Sequence, residues 1–347
     1  MDPLADDVRL VPLVSVLMPT LNSERTLAMC LASIRRQTLG RDAIEILIAD
    51  GGSKDRTRAI AREHGASILE NERVLPEYGL NVAMRAARGR YGIMLGSDEV
   101  ITSATSFATK VRVLEENPRV HNVVPGGFQT PQGYPLISEY LNRFGDPFSF
   151  FMHRIDASDM WRVLRRRYRV EREESDFVLF QLAPDDVLPI CDDGHFFSLE
   201  YLRTIADPAD LSIVPRLLNL MAREHRQIAV VKDDFMQHYS TSDYETAKRK
   251  IEWRIVGNVH HATSGAAGYA SREHLQPAAF RLKKYLFLPY ALSVVAPAFD
   301  AARMMVRYRN PAMLYHLPLT VGAGASIVRH IALKAFGVKV PQGIYGK

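Results

Sequence analysis

Cysteine is scarce in this chain: its 347 residues hold two, Cys30 and Cys191, in no metal-ligand spacing. That excludes a disulfide framework and a cysteine-type zinc site, and it points to a reducing compartment. A basic start followed by an apolar stretch is also missing. Met1 to Leu10 is acidic, so no signal peptide is expected. Internal repeats and low-complexity segments are absent. Basic residues are plentiful, but no nucleic-acid reader motif or interleaved stacking aromatics accompany them, so nucleic acid is not an expected partner.

What is present is a chain that is 47% hydrophobic, ample for a packed core, with a modest net charge of +5 that is unevenly placed. Arg162, Arg165, Arg166, Arg167, Arg169 and Arg172 cluster, as do Lys248, Arg249, Lys250 and Arg254, and then Arg281, Lys283 and Lys284. Two apolar stretches follow, Tyr285 to Val306 and Ala312 to Val338. The first is broken by Pro289, Pro297, Asp300 and Arg303, the second by His316, Arg329, His330 and Lys334. Neither is a clean run of about twenty uncharged residues, the length a membrane-spanning helix needs. A basic flank, aromatic residues and interrupted apolar faces instead predict helices that lie in a membrane interface.

The N-terminal half alternates strand and helix. Val14-Ser15-Val16-Leu17-Met18 is a short apolar strand that breaks at Pro19-Thr20-Leu21-Asn22. Leu27, Leu31 and Ile34 then recur at helical spacing, with Ser23 placed to cap. A second strand, Ile44 to Ala49, ends at Asp50-Gly51-Gly52-Ser53-Lys54-Asp55-Arg56-Thr57. A helix runs through Ile60 to His64, a short strand covers Ser67 to Leu69, and a helix covers Leu80 to Ala87. A third strand, Tyr91 to Leu95, stops at Gly96-Ser97-Asp98-Glu99. This pattern predicts an α/β fold with a doubly wound, mixed but mostly parallel sheet and right-handed crossovers. Ligands of such sheets sit outside the carboxyl ends of the strands, so three strands with polar or acidic tips predict a site for a charged small molecule. Further along, Gly126 to Pro147 reads as irregular, aromatic-rich structure continuing into Phe148-Ser149-Phe150-Phe151. Strands are expected again at Phe177 to Phe180 and Gln227 to Val231, and a helix from Asp243 onward.

The three tips resemble those of the inverting family 2 glycosyltransferases, which are built on the GT-A nucleotide-sugar-binding fold. The similarity extends over roughly residues 11–240. That implies a catalytic domain at 1–240 followed by a basic, amphipathic helical region at 241–347. The first two tips follow the family's P-T-x-N and D-x-G-S-x-D-x-T patterns; the third departs from D-x-D-D, since Gly96 replaces the first acid and Glu99 the last.

By that resemblance, Pro19, Thr20, Asn22 and Glu24 surround the base and ribose of the donor, and Asp50 accepts a hydrogen bond from the nucleobase. Asn81 lies near the sugar and ribose, and Ser97 counts among the donor-binding residues. Asp98, Glu99 and the late His238 hold a divalent cation, Mg²⁺ or Mn²⁺, against the diphosphate; hard cations of this kind favour oxygen ligands. Lys250 and Arg254 meet the diphosphate or a lipid phosphate. Inversion needs a carboxylate to take the acceptor's proton. Spacing back from Arg216-Leu217 assigns that role to Asp210, with Asp207 in reserve and Asp192 or Asp193 as outsiders; the usual preceding Glu is Ala209, and Pro215 is unexpected in a helix.

The resemblance therefore implies a glycosyltransferase that takes a UDP- or GDP-sugar, and the C-terminal apolar stretches point to a lipid-linked or glycan acceptor in surface-glycan or glycolipid assembly, at the cytoplasmic face of a membrane. The Q-x-x-R-W motif of processive members is absent, so one sugar per acceptor is expected. Two alternatives stay open. A polyprenyl-phosphate sugar synthase would need no base, and a non-catalytic nucleotide-sugar-binding scaffold would tolerate Gly96 and Ala209. Nucleotidyl transfer is disfavoured because no Gly-rich basic loop follows the first strand.

Overall fold

The structure is a computed structural model that describes residues 11–189, 191, 193–208, 210, 213–240, 243–261, 269 and 272–343. Among these, alternating apolar runs form a nine-stranded sheet in the order β3-β2-β1-β4-β10-β6-β11-β9-β8 and a three-stranded sheet in the order β5-β12-β7. The strands are β1 (Val14–Thr20), β2 (Ile44–Asp50), β3 (Ser67–Glu70), β4 (Tyr91–Met94), β5 (Glu99–Ile101), β6 (Asn122–Val124), β7 (Gly127–Gln129), β8 (Arg169–Glu173), β9 (Phe177–Gln181), β10 (Phe196–Ser198), β11 (Gln227–Val231) and β12 (Phe235–His238). β1 to β4 are mutually parallel where they pair; β10 then joins β4 antiparallel, and β11 is parallel to β6 and antiparallel to β9.

Helices cover both faces of the large sheet, as a doubly wound chain requires. One face buries α1 (Leu27–Arg35), α2 (Thr57–Glu63), α4 (Ser106–Glu116) and α7 (Met160–Arg165), through Leu27, Leu31, Ile60, Phe107 and Leu164. The other buries α3 (Pro76–Ala86), α8 (Leu199–Ile205) and α9 (Leu217–Met221), through Ala83, Met84, Leu202 and Leu217. The central strands β1, β2, β4 and β11 read as near-continuous apolar runs because both of their faces are covered, whereas the edge strand β8 is exposed and charged.

A separate apolar core forms between α5 (Leu136–Phe144), α6 (Pro147–His153), α10 (Tyr244–His260) and the C-terminal helices α11 (Ala278–Lys283), α12 (Phe287–Leu292), α13 (Val295–Tyr308) and α14 (His316–Ala335). Gly126 to Pro147 was expected to be irregular; it instead contains β7 and α5 and leads into α6. Asp146 caps α6, accepting the Ser149 N–H at 2.8 Å, and Pro147 opens its first turn, where its missing N–H has no cost. The helix expected from Asp243 is α10, with Asp243 accepting the Thr246 N–H at 2.8 Å. α1 starts at Leu27. The Ser23 carbonyl accepts from Thr26 and Leu27, but its hydroxyl accepts from Ser97 and does not cap the helix.

Candidate active site

The first two strand tips are stitched together residue by residue. β1 and β2 run parallel with Thr20 opposite Asp50, so their two loops leave the sheet side by side. The Asn22 N–H donates to Ser53 Oγ at 2.8 Å, and Asn22 Oδ1 accepts the Lys54 N–H at 2.8 Å. The Ser23 N–H donates to Thr57 Oγ1 at 2.7 Å. The Glu24 N–H donates to Asp55 at 3.1 Å, while the Glu24 carboxylate accepts the Arg56 N–H at 3.0 Å. Asn22 has φ +51°, a left-handed backbone that asparagine tolerates better than most residues, and Gly52 has φ +86°, where a side chain would be strained.

Asp50 is the centre of this floor. Its Oδ2 accepts from Thr20 Oγ1 at 3.0 Å and from the Ser53 hydroxyl, and its Oδ1 accepts the Gly52 and Ser53 N–H groups at 3.2 and 3.0 Å. The Arg58 guanidinium lies 3.7 Å away. The carboxylate is fully buried and both of its oxygens are taken by Thr20 and its own loop, so it shapes the floor from within; the hydrogen bond expected from a nucleobase finds no exposed Asp50 oxygen. Pro19 pairs with Ala49 in the ladder and packs beneath Gly79 of α3, where an added Cβ would lie 3.1 Å from the Pro19 Cβ. Asn81 is buried on α3 and donates to the Glu77 carbonyl at 2.9 Å, four residues back on its own helix.

The third tip joins the first through Ser97 Oγ, which donates to Ser23 Oγ at 2.9 Å. In the small sheet His238 stands opposite Glu99, and this register brings the imidazole to 3.7 Å from the Asp98 carboxylate. The Tyr239 N–H donates to the Asp98 carbonyl at 2.8 Å. Burial works against charge on Asp98, yet the His238 imidazole and the Lys250 ammonium hold its carboxyl below the usual range. Burial likewise opposes the His238 cation, but Asp98 and then Asp193 raise that group above its ordinary value. Glu99 turns inward: it is buried, and its Oε2 accepts the Gly96 N–H at 2.8 Å. Burial first, and then the charges of Asp193 and Asp98, push its carboxyl well above the normal range.

Among the described residues no group of three His, Cys, Asp or Glu side chains is arranged to hold a metal ion. Asp98 and His238 are both partly exposed, and they offer one carboxylate and one imidazole toward the open side. That donor pair fits a cation whose remaining ligands come from phosphate and water, whereas the inward-turned Glu99 does not add to it. Gly96 keeps this turn tight, since a Cβ there would meet Asp98 Oδ1 at 2.8 Å.

Lys250 sits on α10 with its ammonium on the Ser240 carbonyl at 3.0 Å, close enough for its charge to be felt at Asp98. Arg254, one turn further, reaches Asp146 at 2.9 Å and so ties α10 to the cap of α6. Asp210 is exposed and pairs with Arg216 at 3.0 Å; Asp207 is likewise exposed just beyond α8, and Asp192 lies outside the described residues. Asp193 is exposed and stands beside the third tip. β10 runs antiparallel to β4 with Phe196 opposite Ile93, and the Gly194 N–H donates to the Met94 carbonyl at 2.9 Å, so Asp193 lies level with the Gly96 turn. Three further residues at this edge escaped the sequence reading. Arg25 donates to the Tyr134 hydroxyl at 2.9 Å, that hydroxyl donates to the Tyr239 carbonyl at 3.2 Å, and the two tyrosine rings meet edge to face at 5.4 Å. Tyr134 falls in the aromatic-rich segment after Gly126, which was the one available signal.

Comparison with known proteins adds the following. Residues 15–172 match the profile described as Glycosyl transferase family 2. A "PGL/p-HBAD biosynthesis glycosyltransferase" of Mycobacterium bovis is 32% identical over 114 residues, which cover 30% of this chain and 43% of that protein. The "UDP-Glc:alpha-D-GlcNAc-diphosphoundecaprenol beta-1,3-glucosyltransferase" of Escherichia coli is 28% identical over 170 residues, 42% of this chain and 66% of that protein. The chain thus spans less than half the length of the mycobacterial relative. A mannosyltransferase from Pyrobaculum calidifontis, solved with GDP-Man and Mn²⁺, is 17% identical with a TM-score of 0.49, covering 94% of this chain and 88% of that one.

Proposed function

From a chain that carries a glycosyl transferase family 2 domain over residues 15–172, we propose an enzyme that moves a sugar, with inversion, from a UDP- or GDP-linked donor to a lipid-linked or glycan acceptor. The observation that carries this reading is the single polar floor made by three strand tips, joined through Asp50, Ser53 and the Ser23–Ser97 bond, with Asp98, His238 and Lys250 at its rim. Open α/β sheets bind ligands at this edge. A lipid-linked acceptor accords with the name of the Escherichia coli relative. The setting we assign is the cytoplasmic face of a membrane, with residues 1–240 as the catalytic part and 241–347 as the membrane-side part.

Breaking the anomeric C–O bond leaves negative charge on the diphosphate. The Lys250 ammonium neutralises part of it, and Asp98 with His238 would hold a divalent cation, Mg²⁺ or Mn²⁺, which when bound supplies Lewis-acid stabilisation of that leaving group. The acceptor hydroxyl attacks in line from the opposite side and gives its proton to a carboxylate. Asp210 is the assigned base, with Arg216 steadying it and Asp207 in reserve. Asp193 is a second reading, favoured by the register that sets it beside the third tip.

The test is a transfer assay on Asp210→Asn and Asp193→Asn, with donor binding measured alongside. Loss of general base catalysis costs about 10²–10⁴ in kcat, so one variant loses turnover on that scale while keeping its donor affinity. If both retain full turnover, neither residue deprotonates the acceptor, and Asp207→Asn decides next: loss of turnover there makes the reserve residue the base, and full turnover puts the phosphate acceptor of a polyprenyl-phosphate sugar synthase in its place.

A further inference from the structure

We infer that the elbow between α12 and α13 is a membrane wedge that seats its apolar tip in one leaflet of an anionic bilayer. This deepens, and rests on, the membrane-side reading of the C-terminal region. The helical run Ala278–Leu292 and helix α13 meet at 91°. The bend falls at Ser293 and Val294, and Val294 has φ +58° and ψ −43°, a backbone that a β-branched residue seldom adopts. Local bonds hold it: the Ser293 hydroxyl donates to the Tyr290 carbonyl at 2.8 Å and accepts the Ala296 N–H at 3.2 Å.

The elbow's tip is apolar and exposed. Val295 is 76% and Phe299 68% exposed, and Leu292 and Val294 are about half exposed beside them. Of the 17 large hydrophobic residues that are exposed among the described residues, 13 lie between Leu282 and Val338. A concentration of this kind marks an interaction surface. Its base is rigid. Asp300 accepts from Tyr290 at 2.8 Å and from Arg154 at 2.9 Å, and His316 bridges Tyr290 and Tyr140 at 2.7 Å each. A neutral His316 with its proton on Nε2 satisfies all four groups: Tyr140 donates to Nδ1, Nε2–H donates to Tyr290, and Tyr290 donates to Asp300.

Charge selects the occupant. Residues 277–347 contain ten lysines and arginines and a single acid, Asp300, which leaves the rest of the chain at −4 against a whole-chain +5. Arg303 and Arg307 are exposed one turn apart on α13. A surface this basic repels a second copy of itself and attracts anionic headgroups. Among the described residues one helical run, Pro311–Ala335, is long and apolar enough to cross a bilayer, and it contains α14; its ties to the protein favour lodging in the interface instead. His316 at its start is bonded to Tyr140 and Tyr290, and His330 near its end is bonded to Glu252 of α10 at 2.7 Å, so both ends stay on the protein.

The experiment attaches an environment-sensitive NBD fluorophore to Phe299→Cys; Cys30 and Cys191 are buried and do not compete. Vesicles of equal phosphatidylglycerol and phosphatidylcholine should produce a blue shift and quenching by acyl-chain-labelled lipid, and a label at Arg119→Cys on the catalytic part should give neither. Arg303→Glu with Arg307→Glu should weaken vesicle binding at least tenfold at low salt. Nucleotide binding measured on the same variants keeps the two readings separable, because the wedge predicts no change in it. An unshifted Phe299 label on vesicles, or a shift that appears without lipid as the protein is concentrated into a dimer, overturns the wedge.

Discussion

The strand-tip floor and the helical layer beside it are held by opposite means. On the floor, short polar side chains bond to backbone N–H groups only a loop away, as Asn22 does with Lys54 and Asp50 with Gly52 and Ser53. In the helical layer, aromatic rings interlock within and between segments, Phe144 on Phe150 of the next helix and Phe148 and Phe151 on the distant Phe287, around one polar chain through His316. The first design presets a shape for a charged ligand and leaves polar groups at its rim. The second buries apolar area and depends on a few buried polar groups that have no substitute partners.

The sharpest way to break the floor is from beneath it. Lys110 of α4 and Asp234, just before β12, form an ion pair of 2.7 Å with both side chains buried, and β12 carries His238. Lys110→Ala strands a buried carboxylate and should cost about 3–5 kcal/mol in denaturant unfolding. A loss under 1 kcal/mol would mean that water reaches Asp234.

Acid should weaken both regions, and in the helical layer His316 shares the response with His153, which burial lowers to about 3. Burial lowers His316 to about 4, and burial with the nearby Lys110 charge lowers His195 to about 3. Such a group takes up a proton more readily when unfolded, so its contribution is complete above about pH 6.5 and fades as pH falls toward the folded value. For His316 the interval of about 2.5 units corresponds to on the order of 3 kcal/mol. His316→Gln should therefore flatten the stability profile between pH 6.5 and 4; an unchanged slope places the acid sensitivity elsewhere. The smallest effect is expected for Thr20→Val, which removes one of several bonds to Asp50 and should cost about 0.5–1.5 kcal/mol. A much larger loss would show that Asp50 cannot rely on Ser53 and Gly52 alone.

The same contrast explains what could be read without coordinates. β1, β2, β4 and the helices between them follow from apolar periodicity and glycine-rich breaks, which are local signals. α6 carried such a signal in Asp146-Pro147, but the aromatic run behind it resembled a loop because those rings are buried against helices from the far end of the chain. At the site, the tip motifs announced Thr20, Asn22, Glu24, Asp50 and Asp98 as neighbours. They gave no hint that Asp50 is saturated by its own loop, that Glu99 turns inward, or that Arg254 is tied to Asp146. Asp193 beside Gly96 and Tyr134 over Tyr239 depend on strand register and helix placement, which no single segment encodes.

The most direct test of the central claim, that the three strand tips form a nucleotide-sugar donor site, is calorimetric titration of UDP and GDP, with and without Mn²⁺, into the wild type and Asp98→Ala. The account predicts that one of the two nucleotides binds, that Mn²⁺ strengthens the binding, and that Asp98→Ala removes the Mn²⁺ effect. Absence of binding by both nucleotides to the folded wild type would contradict it.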